Sequence, residues 1–206
     1  MSIGIKNSWE VLWLDESRIS MNGKDGGTRV WRLSSEQFDP DWVGPTSQWS
    51  PGLMVWGCFA EPGLGLNSII DDTLNGHGYT ELIKQHVYPT MLALFDNPET
   101  CLFQDDNACR HRSLQVNTRC DNLGIQRLVW PTYSPDVNPI ENLSKILKSQ
   151  ILARPRPPTT LPDLRVAIDE EWARLAGHHE IWRPLLDNIP ARIMKVRISR
   201  SYPTKY

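Results

Sequence analysis

The chain has 206 residues, 40% of them hydrophobic, with 22 Lys+Arg against 24 Asp+Glu for a formal charge of −2. This balance excludes a basic tail, an acidic disordered segment and a coiled coil, and its scattered 13 Gly and 16 Pro exclude a collagen. One domain over residues 1–206 is expected. The longest apolar run, Leu53 to Ala60, is far short of the roughly 20 residues a membrane-spanning helix requires. The opening MSIGIKNSWE has no apolar stretch of a secretory signal. Reduced thiols follow for Cys58, Cys101, Cys109 and Cys120, whose spacing includes no C-x-x-C and no second Cys/His pair to complete a zinc site with Cys109 and His111.

Along the chain, residues 9–15 (WEVLWLD), 28–32 (TRVWR) and 53–60 read as strands joined by turn-rich loops, with a weaker run at 66–71 (LNSIID) bordering them. From Tyr79 to Leu94 the apolar residues recur at helical spacing, with Pro89 predicted to kink or split the helix. Cys101 to Asp106 reads as a strand, Ser113 to Leu123 as a helix stopped by Gly124, and Ile125 to Trp130 as a strand ended by Pro131. Pro139 opens a helix to about Leu152, and after the stiff RPRPP connection Leu161–Leu175 and Ile189–Ile198 supply two more. Strands first, then alternation, predicts an α/β fold with a mixed sheet flanked by helices.

Charge is unevenly placed. Residues 1–100 hold 6 basic and 13 acidic side chains, whereas residues 101–206 hold 16 and 11. Lys145, Lys148, Arg154 and Arg156 form one stripe without an acid, and Arg192, Lys195, Arg197, Arg200 and Lys205 another. Such stripes suit nucleic-acid phosphates, although a solvated surface gives the same pattern.

Three acids fall where this layout brings elements together: Asp15 at the end of the first strand, Asp106 at the end of the strand from Cys101, and Glu141 in the first turn of the helix after Pro139. Converging carboxylates repel unless cations hold them, and Mg²⁺ prefers such oxygen ligands. Each acid also has a local reading. Asp15 and Glu16 suit a strand-end turn, and Asp105 or Asp106 before Asn107 suits an Asx-turn. Asn138, Pro139 and Glu141 suit a capping box with Glu141 at the third helical position.

LWLDES at 12–17, MVWGCF at 54–59, QDDNACRH at 104–111 and WPTYSPDVNPIENL at 130–143 together resemble the catalytic domain of the Tc/mariner superfamily of DDE transposases. The 34 residues between Asp106 and Glu141 resemble the spacing of its Tc-like branch. The resemblance implies an RNase H-like fold with a five-stranded mixed sheet, and Asp15, Asp106 and Glu141 as a catalytic, metal-binding triad. It favours Asp106 over Asp105 because the family's aspartate directly precedes Asn, and it leaves Asp136 a loop-shaping role. It implies two Mg²⁺ or Mn²⁺ ions, DNA as the partner, cleavage by water followed by strand transfer from the freed 3′-OH, a homodimer, and action in the nucleus. His111 matches the family's motif histidine, with a role in ordering the site, in contacting DNA, or in the packing alone. Lys145, Lys148, Arg154 and Arg156 are the candidate DNA contacts.

Three residues depart from the pattern: Cys109 stands where Pro is usual, Ser144 where Trp is usual, and Ser201 where Gly is common. At Ser144 a missing ring is predicted to open a cavity costing roughly 3–5 kcal/mol. No helix-turn-helix DNA-binding module is expected within this chain. Two function classes fit: a metal-dependent DNA-cutting and joining enzyme, or a non-catalytic remnant that binds DNA or a protein.

Overall fold

The structure, a computed structural model, describes residues 10–22, 50–70, 74–106, 108–129 and 137–198. Strands β1 (Val11–Ser20), β2 (Gly52–Ala60) and β3 (Gly63–Ile70) form an antiparallel meander. Strand β4 (Leu102–Gln104) joins the other side of β1 in parallel, and β5 (Gln126–Arg127) joins β4 in parallel, giving the order β3-β2-β1-β4-β5. The sheet is therefore mixed and five-stranded, with β1 at its centre. The weak run at 66–71 turns out to lie in a full strand, whereas the strand expected at 28–32 lies outside the described residues. Strands β4 and β5 are shorter than expected, and Asp105 and Asp106, past the end of β4, make the ion pairs described below.

Alternation along β1 sorts the core into two halves. Val11 and Trp13 face one side, where they join residues of α4 (Ile140–Leu152), α5 (Leu161–Ala176) and α6 (His179–Asp187). Leu12 and Leu14 face the other, with residues of α1 (Gly76–Leu82), α2 (Tyr88–Leu94) and α3 (Leu114–Asn122). Each large apolar side chain so buried contributes roughly 1.5–3 kcal/mol, and helix α7 (Ile189–Ile198) closes the first layer through Ile189.

Pro89 splits its helix, as expected, without ending it. A π-helical segment, Ile83–Val87, joins α1 to α2, and the Tyr88 N–H bonds back five residues to the Ile83 carbonyl. A proline ring would collide with the carbonyl four residues before it, and the widened turn relieves that crowding. Gly124 ends α3 as expected, at φ +67, a conformation that strains any residue with a Cβ. Helix α6 is not foreseen in the sequence reading because Pro184 sits inside it. Its nine residues carry an apolar stripe that buries Trp182 and Leu186. Among the described residues no helix is long and apolar enough to cross a membrane, and the four cysteines are free.

Candidate active site

In the parallel pairing of β1 with β4, Val11 lies beside Leu102 and Trp13 beside Gln104. Continued two residues past the last pair, this register brings Asp15 level with Asp106. Alternation along β1 puts Asp15 on the side of Val11 and Trp13, the side covered by α4, and Asp106, past the end of β4, lies near enough for its charge to act on Asp15. Glu141 lies in the first turn of α4, next to the fully buried Ile140 of that same core. Different partners separate the two adjacent aspartates that local sequence alone leaves interchangeable: Asp105 pairs with Arg127 and Asp106 with His111.

The electrostatics agree with this gathering. Burial pushes Asp15 up to about 7, and the neighbouring charges of Glu16, Glu141 and Asp106 each add to the rise. Among the described residues no three His, Cys, Asp or Glu side chains yet close on one point as a metal site would require. The residues fit a hard divalent ion: the donors are all carboxylate oxygens, and proximity of like charges destabilises them until a cation arrives.

Asp106 is held by His111. The His111 Nδ1 lies 2.5 Å from Asp106 Oδ1, and the Ala108 amide donates to the same oxygen at 2.9 Å. These bonds, His111's first, keep Asp106 below the usual carboxylate range against the opposing effect of burial. Burial by itself would lower His111, but its bonds to Asp106 and Glu16 outweigh that and take the imidazole up to about 9. Its Nε2 is 3.2 Å from Glu16 Oε1, and Arg110 Nη2 donates to Glu16 Oε2 at 3.1 Å. Arg110 Nε also stands 3.1 Å from Nε2; a ring protonated at both nitrogens accepts nothing from it, so Arg110 acts through Glu16.

Below this layer, Asp105 is fully buried and ion-paired with Arg127, with Arg112 Nη2 at 3.6 Å and the Tyr79 hydroxyl donating at 3.3 Å. Tyr79 stacks on His111 with ring centroids 4.0 Å apart. Arg127 donates further to the His111 carbonyl at 2.7 Å and to Asn117 Oδ1 at 2.9 Å. Asp105 therefore serves the framework beneath Asp106.

Several contributors escape sequence reasoning. Gly57 pairs with Asp15 across β1 and β2, and a Cβ there would lie 2.8 Å from Trp172 of α5. Its bare backbone admits the indole beside the acids, and the signal available beforehand is a lone glycine inside a strand. Asn138 does not complete a capping box. Helix α4 begins at Ile140 with Pro139 as N-cap, so Glu141 is the second helical residue, and the Asn138 side chain accepts from the Ile140 N–H while its Nδ2 donates to β1. Arg192, placed in a basic stripe by sequence, is 3% exposed and donates to Asn142 Oδ1 at 3.2 Å.

The remaining predicted contacts divide. Lys145 and Arg156 are exposed and Lys148 is half-buried. Arg154 is engaged by Glu170 and by Glu171 on α5, which compete with any phosphate. His111 is 1% exposed and enclosed by Tyr79, Asp106 and Glu16, so it is corrected from a DNA contact to part of the framework. Ser144 is half-buried, so the penalty expected of an enclosed cavity does not apply there. Asp136, Arg200, Ser201 and Lys205 lie outside the described residues, as do the side chains of Lys195 and Arg197.

A family model described as DDE superfamily endonuclease matches residues 10–165, which contain all three acids. The chain belongs to this family. The Tc1 transposase of Caenorhabditis elegans is 29% identical over 204 residues, 95% of this chain and 70% of that protein. The Tcb1 transposase of Caenorhabditis briggsae is 28% identical over 202 residues, with the same coverage of 95% and 70%. Among solved structures, the Mos1 transposase catalytic domain with raltegravir and Mg superposes with a TM-score of 0.69 at 17% identity, covering 97% of this chain and 87% of that one. A Mos1 mariner paired-end complex with Mn superposes with a TM-score of 0.73 at 18% identity, covering 95% and 57%. The fold of this DDE endonuclease is therefore RNase H-like, and the chain is a Tc/mariner DDE transposase catalytic domain, an enzyme of nuclease-type phosphoryl transfer. The comparisons favour the enzyme over a non-catalytic remnant.

Proposed function

We propose that Asp15, Asp106 and Glu141 are the catalytic triad, and that this domain cleaves DNA at a transposon end and joins the freed 3′-OH to target DNA. The observation that carries the reading is that acids from β1, the end of β4 and the first turn of α4 lie near enough for the charges of Glu141 and Asp106 to act on Asp15. Their electrostatic coupling at Asp15 supports it. Two divalent cations, Mg²⁺ or Mn²⁺, held by these carboxylates would lower the pKa of an attacking water and stabilise the leaving 3′-oxygen.

The chain's own residues prepare that chemistry. His111 holds Asp106 ionised through Oδ1, leaving its other oxygen for a ligand. Asp15, raised by burial and then by its acidic neighbours, would be held in its charged form by a bound cation. Asp106 is exposed while Asp15 and Glu141 are partly buried, so a phosphate approaches from the Asp106 side. Lys145, Lys148 and Arg156 offer the backbone contacts that give sequence-independent, salt-sensitive affinity. A pair of transposon ends calls for two copies, hence a homodimer, and a chromosomal substrate places the action in the nucleus.

The test is cleavage of a DNA duplex by the 206-residue chain in Mg²⁺ or Mn²⁺, set beside Asp106→Asn. We expect the variant to be inactive and the wild type to require the cation. Equal cleavage by both proteins would refute the assignment.

A further inference from the structure

We infer that Asn138 is a positioning residue for the carboxylates: its amide fastens the first turn of α4 to the backbone of β1 and so sets how Glu141 meets Asp15. The inference rests on the proposed triad and adds what aligns it. Asn138 is 5% exposed. Its Nδ2 donates to the Leu14 carbonyl at 3.2 Å, and its Oδ1 accepts from the Ile140 N–H at 3.4 Å. Leu14 directly precedes Asp15, and Ile140 directly precedes Glu141. One side chain is thus bonded to the residue before each of two acids that lie 126 positions apart in the chain.

The geometry makes this more than a helix cap. The Leu14 carbonyl belongs to the rigid, planar peptide unit whose nitrogen is that of Asp15, so holding that oxygen holds the backbone from which the carboxylate springs. On the other side, Pro139 is the N-cap residue and makes no side-chain cap bond, which leaves Asn138 to satisfy the first helical N–H. A cap needs only an acceptor. The donor aimed at β1 is the part that only alignment explains, and a buried carbonyl–amide pair between sheet and helix tolerates little sliding.

Serine separates the two roles, because its hydroxyl accepts from a nearby helix N–H but is too short to reach the Leu14 carbonyl. The experiment titrates Mn²⁺ into the 206-residue chain by calorimetry and records the melting temperature without metal, for the wild type, Asn138→Ser, Asn138→Ala and Glu141→Gln. Glu141→Gln should lose Mn²⁺ binding. Asn138→Ser should melt within about 4 °C of wild type yet bind Mn²⁺ about 10- to 100-fold more weakly, the range for losing an outer-shell partner of a metal site. Asn138→Ala should show the same weakening with a lower melting temperature.

Wild-type Mn²⁺ affinity in Asn138→Ser, with binding lost in Glu141→Gln, would reduce Asn138 to a cap and overturn the inference alone. Wild-type affinity in Glu141→Gln would overturn the triad itself. If Asn138→Ser does not fold, Asn138→Thr replaces it as the second cap-competent variant, and failure of both to fold also overturns the positioning role.

Discussion

Replacing Arg127 with Met isolates the framework under Asp106. Asp105 is fully buried, and Arg127, itself 11% exposed in its side chain, is its close partner. Arg112 is farther, at 3.6 Å, and Tyr79 donates one hydrogen bond. Breaking a buried pair by removing one member strands the other charge, at about 3–5 kcal/mol. At about 2–4 °C per kcal/mol for a domain of this size, Arg127→Met should melt about 6–20 °C below wild type. Asp105→Asn added to Arg127→Met removes the stranded charge, keeps an acceptor for Tyr79, and should restore most of the loss.

The same variant makes a pH prediction whose sign follows from burial. Burial raises Asp105 above its usual range even against the attraction of Arg127, His111 and Arg112. Without Arg127 it rises further. A folded-state carboxyl that binds its proton more tightly than the unfolded one gains stability as pH falls. The deficit of Arg127→Met relative to wild type should therefore be smaller at pH 5 than at pH 7.5 in thermal or urea unfolding. Equal stability of the single and double variants, or a deficit that grows on acidification, would refute this reasoning.

Two further outcomes are expected. His111, taken up to about 9 in the folded protein against 6.5 as its ordinary value, contributes stability that is complete below pH 6.5 and is lost as pH rises through 9. The metal-free protein should lose about 3 kcal/mol across that window, His111→Asn should lose much less, and identical pH curves for the two would contradict the Asp106–His111–Glu16 link. Burial pushes Cys58 and Cys101 up to about 12 and Cys120 up to about 11, whereas Cys109 is exposed. A thiol reagent should therefore modify one cysteine in the native protein and four in denaturant; rapid native reaction of more than one would show that the sheet core opens.

Much of the fold was legible because periodicity is local. The helices at Leu161 and Ile189 carry their own apolar spacing, and Gly124 carries its own stop. The strand at 66–71 looked weak because β3 is an edge strand with partly buried residues on both sides. Pro184 hid α6, and the π-helical accommodation of Pro89 depends on how the whole segment packs against the sheet. Among the candidate site residues, motif and spacing singled out the three acids, but Arg154 and Arg192 looked like free cations. Their partners Glu170 and Asn142 are 16 and 50 residues away, beyond any local pattern.

The sequence by itself determined the residue types the chemistry needs, the order of the elements and the family signature, because these are written in composition, period and spacing. Tertiary structure alone decided that Asp105 is buried against Arg127 while Asp106 stays exposed beside His111, and what Asn138 holds. Strand parity and register exist only once β1 and β4 have paired. A buried amide caps a helix and ties it to a strand at once only when both backbones stand within its reach.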